Sequence, residues 1–204
     1  TNAGLSRYNS NTGNFTSWFE KHGLPQNVLI SIDADANGNI WLGTLTKGLV
    51  RFDGETFTNW TTEDGLAHNA VWDIELDKNG RVWCATDGGF SIFNPSADSG
   101  TGGTFTNYSS AHGLPVDAGL LVKEAPDGSM WLGLDEGGVA RVIKEGPNAE
   151  FELFNMDHGL YNNSVVAMEF GWKGSLWIGT SRGVDRLDVG HFKETAQKQF
   201  QHYD

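Results

Sequence analysis

The chain has 204 residues, enough for one or two domains with a real core. A formal net charge of −12 repels a phosphate backbone, which excludes general nucleic-acid binding. The hydrophobic fraction is 38% with no long apolar run, so no stretch reads as inserting into a membrane, and the one cysteine, Cys84, rules out an internal disulfide framework.

The chain begins Thr-Asn-Ala-Gly, with neither Met nor a signal peptide, and reads as a piece of something longer. Residues 1–21 carry Gly4-Leu-Ser-Arg7-Tyr8-Asn9 and Phe15-Thr-Ser-Trp18. These match Gly48-Leu-Val-Arg51-Phe52-Asp53 and Phe57-Thr-Asn-Trp60 further on, so this stretch is the second half of a repeat. Whole repeats then start at His22-Gly-Leu-Pro, Asp64-Gly-Leu-Ala, His112-Gly-Leu-Pro and His158-Gly-Leu-Tyr, spaced by 42, 48 and 46 residues. In each, Gly23, Gly65, Gly113 or Gly159 precedes a tryptophan (Trp41, Trp83, Trp131, Trp177) by 18 residues. Length varies only after the tryptophan, as in the insertion at 96–103. The first half of the unit is therefore geometrically fixed.

Each repeat resolves into four short strands. The first covers 28–33, 71–76, 119–122 and 165–170. A turn follows at Asn37-Gly38, Asn79-Gly80, Asp127-Gly128 and Lys173-Gly174, read as a two-residue hairpin with positive φ. The second strand carries the tryptophan, and the third covers 49–52, 90–93, 139–142 and 184–187. The fourth covers 57–60, 105–108, 151–154 and, after 193–199, 200–203. A period of about 40–50 residues with four strands is the pattern of a β-propeller blade. The expected fold is all-β: a propeller segment of about four and a half antiparallel blades in one unit, residues 1–204. Its parts are an outer half blade at 1–21 and blades at 22–63, 64–111, 112–157 and 158–204. Such a segment is a sector of a larger ring or completes itself by association, and bare strand edges argue for a dimer.

The run Asn27-Val28, Ile32-Asp33, Asn37-Gly38-Asn-Ile40-Trp41-Leu-Gly43-Thr44, Gly48-Leu49, Arg51-Phe52-Asp53-Gly54 and Asp64-Gly65-Leu66 resembles the two-component regulator propeller repeat. The likeness extends over nearly the whole chain, with departures at Cys84-Ala85, Leu134, Ile143 and Gly171-Trp172. It implies a sensor: the periplasmic input region of a bacterial membrane-bound histidine kinase or related receptor. Such a region reads an extracellular signal, often a glycan breakdown product, and a distant module performs the output. The segment itself would be non-catalytic, without cofactor. A second family with a similar Asp-x-x-Gly-x-Ile-Trp cadence is that of the virginiamycin B lyases. That likeness would make His68 a catalytic candidate. A third reading is a pure interaction scaffold.

Several groups invite a chemical role. His22, His112 and His158 share a repeat position with Asp64, which suggests a metal. However, packed sheets lie about 10 Å apart and zinc needs ligands at about 2.0–2.1 Å, so a capped turn explains them better. Asp33-x-Asp35-x-Asn37-Gly38 resembles half a calcium loop, but Thr44 stands where a bidentate carboxylate belongs. No metal site is expected. Asn14, Asn59, Asn107 and Asn162 match the glycosylation pattern, three of them through the repeat itself. Cys84 replaces Leu42, Leu132 and Ile178 and reads as a small buried hydrophobe.

A specific ligand site belongs in loops where the repeats disagree. Two loop sets share one face of the propeller. One joins strands two and three (Thr46-Lys47, Asp87-Gly88, Asp135-Glu136, Ser181-Arg182), and the other joins one blade to the next. The expected ligand-binding residues are Lys47, Asp87, Asp135, Glu136 and Arg182, with His68 beside them. Asn27, Asn69, Asp117 and Asn163 read as turn formers.

Overall fold

The computed structural model describes residues 2–96, 102–189 and 200–203. The centre of the 96–103 insertion and the stretch 193–199 lie outside them. Among the described residues eighteen strands form five antiparallel sheets in sequential order. The first is a two-stranded ribbon, β1 (Leu5–Asn9) with β2 (Asn14–Trp18). Four four-stranded sheets follow. They are β3–β6 (Leu29–Ala34, Ile40–Thr44, Leu49–Phe52, Phe57–Trp60) and β7–β10 (Val71–Leu76, Val82–Thr86, Gly89–Pro95, Gly103–Tyr108). The remaining two are β11–β14 (Gly119–Glu124, Met130–Leu134, Gly138–Lys144, Glu150–Phe154) and β15–β18 (Val165–Phe170, Ser175–Thr180, Gly183–Asp188, Phe200–Tyr203). The fold is a β-propeller segment.

Neighbouring sheets bury their faces against each other. Trp41, Leu49 and Trp60 pack on Val71, Ile74, Val82, Cys84 and Phe93 of the next sheet. Trp83, Phe90 and Tyr108 pack on Val122, Met130 and Leu132, while Trp131, Val139 and Phe154 pack on Val165, Met168, Leu176 and Ile178. Burying one such side chain contributes about 1.5–3 kcal/mol, so the seams hold the stack together. The Cys84 thiol is fully buried, and burial pushes its pKa up, so it stays a neutral hydrophobe.

The inner strands β3, β7, β11 and β15 lie side by side. Carboxylates bridge them. Asp33 Oδ2 accepts the Leu76 N–H at 3.0 Å, Asp73 Oδ2 the Val122 N–H at 3.1 Å, and Glu75 Oε1 the Glu124 N–H at 3.2 Å. Each links one blade to the next.

The turn after the first strand differs from the expected two-residue hairpin. Asp35 N–H pairs with Asn39 O while Gly38 N–H returns to Asp35 O, and only Gly38 has positive φ, at 85°. This is a three-residue loop, a type I turn closed by a left-handed glycine. In the first two blades the acid before the turn braces it: Asp35 Oδ1 accepts the N–H groups of Asn37 and Asn39, and Asp77 Oδ1 those of Asn79 and Arg81. In the third blade Ala125 stands there, and the same loop closes with Asp127 Oδ1 accepting the Ser129 N–H. Asp35 Oδ2 accepts from Asn39 Nδ2 and Trp41 Nε1, so both oxygens of the half calcium loop serve the hairpin.

The entry to each blade is a short 3-10 turn ending on Gly23, Gly65, Gly113 or Gly159 at positive φ. The recurring His or Asp caps it. His22 Nδ1 accepts the Phe19 N–H at 3.0 Å, Asp64 Oδ2 the Thr61 N–H at 2.8 Å and His112 Nδ1 the Ser109 N–H at 3.2 Å. His158 Nδ1 instead shares a hydrogen bond with Asn155 Oδ1. The recurring Asn27, Asn69, Asp117 and Asn163 each accept the first N–H of that turn, from Glu20, Thr62, Ser110 and Met156.

One further pairing is written into the repeats. Where the residue after Gly-Leu keeps its N–H, the third strand supplies an acceptor: Ala67 N–H to Ser91 Oγ at 3.0 Å, Tyr161 N–H to Asp185 Oδ2 at 3.1 Å. Where that residue is Pro25 or Pro115, with no N–H to satisfy, the same third-strand position is apolar, Val50 or Ala140.

Candidate functional site

The loop between the second and third strands is tight for a chemical reason. Thr86 Oγ1 donates to Gly89 O at 2.9 Å and accepts the Gly88 N–H at 3.1 Å. Thr44 and Thr180 do the same for Gly48 with Lys47, and for Gly183 with Arg182. The third repeat has Leu134 instead and loses this clamp. There the loop is tied by Asp135 N–H to Ala118 O, and Glu136 takes φ 58°, the one positive φ outside glycine among the described residues.

The two loop sets do meet. Gln26 and Thr46 exchange two hydrogen bonds at 3.0 Å, and Ser181 Oγ reaches Asn162 Oδ1 at 3.0 Å. In the second blade a Cβ on Gly88 would lie 2.7 Å from Ala67 O, so the approach there requires glycine.

That contact builds a polar group around Asp87. Trp72 Nε1–H donates to Asp87 Oδ1 at 2.6 Å. His68 stands beside them, its Nδ1 accepting the Ala70 N–H at 3.1 Å. The ring therefore carries its proton on Nε2. The 3.9 Å separation between Nδ1 and Asp87 Oδ2 is accordingly not an ion pair, because the lone pair of Nδ1 is already committed. His68 and Asp87 are each about half exposed, with side-chain exposures of 49% and 46%. The group thus offers an acceptor oxygen, an imidazole N–H and the edge of a half-buried indole on one small surface.

Trp72 was not legible as part of this group from the loop pattern. It occupies the bulge between Val71 and Asp73, where the other repeats have Ile30, Leu120 and Val166. The signal was there: it is the one aromatic at that repeat position. Lys47, Asp135, Glu136 and Arg182 are exposed on three other blades. Among the described residues no ion pair joins them to one another or to His68. The structure brings together two of the six expected residues and leaves four apart. Among the described residues no group of three or more His, Cys, Asp or Glu is placed to hold a metal.

Three tryptophans of the second strands, Trp41, Trp83 and Trp131, are core. Trp177, in the last blade, is 36% exposed. Of the glycosylation-pattern residues, Asn107 is engaged by Ser91 and Gly65 O, and Asn162 by Ser164 and Ser181.

Comparison with known proteins agrees with this architecture. Residues 23–46 and 65–88 match the two component regulator propeller family. No curated protein matches the chain in sequence. Among solved structures, the extracellular domain of a hybrid two component system from B. thetaiotaomicron aligns with a TM-score of 0.74 at 19% identity. The alignment covers 99% of this chain and 26% of that one. PorZ, a bacterial surface component of the type-IX secretion system of Porphyromonas gingivalis, aligns at 0.73 and 14% identity, over 96% and 30%. Virginiamycin B lyase from Staphylococcus aureus aligns at 0.61 and 13% identity, over 87% and 55%. At these identities the likeness is one of fold. The chain spans about a quarter of the hybrid-system domain. Among the described residues no helix is long and apolar enough to cross a membrane.

Proposed function

We propose that this chain, built of two-component regulator propeller repeats, is a non-catalytic ligand-binding segment of a bacterial signal-transduction receptor. It lies on the periplasmic or extracellular side, and its ligand is a small molecule or glycan taken on the loop face. The observation that carries the reading is the group formed by Trp72, Asp87 and His68. A carboxylate acceptor, an imidazole donor and an aromatic surface, set a few ångströms apart, suit a polyhydroxylated ligand. The extracellular domain of the hybrid two component system supports the receptor context through its fold.

The test is a thermal-shift and calorimetric screen of neutral oligosaccharides against the chain, repeated with Asp87→Asn and Trp72→Ala. A bound sugar should lose about tenfold or more of its affinity in either variant, the cost of one charge-assisted hydrogen bond. Binding that ignores both substitutions would move the site elsewhere.

A propeller lyase is the second reading, supported by the fold likeness and by His68 on the loop face. The tautomer weighs against it. A general base needs a free ring nitrogen, and here Nδ1 is bonded to Ala70 N–H while Nε2 carries the proton. Linear product from virginiamycin B, lost in His68→Ala, would establish the lyase instead.

A further inference from the structure

We propose that the chain carries a second binding site, for the carboxylate of a small anionic ligand, in the cleft between the sheets β3–β6 and β7–β10, with Arg51 taking the anion. The cleft has a volume of about 820 Å3. It lies at the end of the blades where the first strand turns into the second, opposite the end that carries Trp72, Asp87 and His68. It therefore holds or fails apart from the loop-face reading.

Comparison between repeats shows what is unusual about Arg51. In three of the four-stranded sheets the third strand sets an arginine across from the tryptophan: Arg51 faces Trp41, Arg141 faces Trp131 and Arg186 faces Trp177. Arg141 lies over its indole at 5.7 Å and donates to Asp127 Oδ2 at 3.1 Å. Arg186 lies over its indole at 5.8 Å and donates to Gln201 Oε1 at 3.2 Å. In the second repeat Ile92 holds the position, and Arg81 supplies the guanidinium instead, over Trp83 at 5.5 Å and paired with Asp77 and Glu145. Arg51 has none of this. Among the described residues it lies over no ring and meets no acceptor, and its Nε is buried without a hydrogen bond.

The carboxylates beside it are committed elsewhere. Asp35, which also lines the cleft, gives both oxygens to its own hairpin. Asp53, close enough to feel the Arg51 charge, gives its oxygens to Glu55 and Thr56. Arg51 is thus a half-buried cation whose N–H fork is unused. A carboxylate is the group that matches it, because two parallel N–H bonds run from a guanidinium to its two oxygens. Asn79 and Asn94 line the same cleft, and among the described residues their side-chain amides enter no hydrogen bond, so they can serve polar groups alongside the anion. The volume falls within the roughly 300–1,000 Å3 of small-molecule sites. The net charge of −12 does not forbid an anion here, since salt screens distant charges beyond about 8 Å while the contact with Arg51 is short.

The experiment titrates glucuronate and, separately, N-acetylglycine into the chain by calorimetry, with glucose and N-acetylglycinamide as their neutral counterparts. Saturable binding of at least one acid is expected, and none of its neutral counterpart; the acid that binds more tightly tells a sugar acid from a peptide terminus. Arg51→Gln should weaken binding about tenfold or more, the order of a charge-assisted bidentate pair. Arg51→Lys should recover only part of it, because an ammonium lacks the planar fork. Asn94→Ala is the independent check and should weaken binding about threefold or more, the order of one neutral hydrogen bond. Arg51 has no hydrogen bond to lose, so its variants should keep the wild-type melting temperature. Lys21→Gln, which removes the same charge from an exposed entry turn, should leave binding unchanged. Failure of both acids to bind, equal binding of the neutral counterparts, indifference to Arg51→Gln and Asn94→Ala, or an equal loss in Lys21→Gln would overturn the proposal. So would binding that appears only in Asp98→Asn, because a carboxylate of the chain itself would then be the occupant.

Discussion

Asp73 is half-buried between two blades, its Oδ2 accepting the Val122 N–H. Burial pushes its pKa from the ordinary 3.8 up to about 6, against the pull of the Val122 N–H and of Lys123. The native state therefore holds a proton that the unfolded chain would release. Below pH 4 both forms are protonated and nothing is lost. Between pH 4 and 6 the unfolded carboxylate ionises while the folded one keeps its proton, and above 6 the folded carboxylate ionises too and the cost levels off, so this residue destabilises the fold at neutral pH. Asp73→Asn, which keeps an acceptor for Val122, should be more stable than wild type by about 1–2 kcal/mol at pH 7.5. The gain should shrink to nothing near pH 4. Urea titrations at the two pH values check both the sign and the window. The entry caps make a second case. Asp64 and His112 accept the same N–H, so His112→Asp should fold with wild-type stability. His112→Ala should cost about 1 kcal/mol, the usual worth of a cap.

At the level of elements, the pairing of Ala67 N–H with Ser91 explains why two repeats carry proline and two do not. Ser91→Ala strands a buried N–H and should cost about 1–3 kcal/mol. Adding Ala67→Pro, as the first and third repeats have it, should recover part of that loss, and a melting experiment on the four-member cycle measures how much. A second substitution that only added to the damage would refute the pairing. Much of this layer was legible in the sequence. The strands, the buried tryptophans and the caps followed from recurrence at fixed spacing, because a repeat exposes its own scaffold. The turn type was not legible, because Asn-Gly suits both a two-residue and a three-residue hairpin. The loop closes through Asp35 N–H to Asn39 O and through Ala125 N–H to Ser129 O alike, a backbone pairing that the turn residues themselves do not encode. The candidate site was half legible. His68 and Asp87 stood out as residues on which the repeats disagree. Their union with Trp72 depends on a bulge that turns one inner-strand side chain, which composition does not encode.

For the whole molecule, the seams impose a direction. Each of the first three four-stranded blades turns a tryptophan face onto the next blade. In the last sheet Trp177, Val184 and Tyr203 are 36%, 38% and 45% exposed, while the same positions in the three preceding blades are almost wholly covered. Among the described residues the packed seams join neighbouring blades, so stability should behave as a one-dimensional sum. Native-state hydrogen exchange should find β7–β14 opening last and β15–β18 first, in steps of one blade. A single global opening would show tighter coupling than the seams provide. Melting of this chain then resembles the fraying of a zipper rather than the collapse of a globule. Each covered tryptophan acts as one tooth, and the free energy of the molecule grows with the number of teeth engaged.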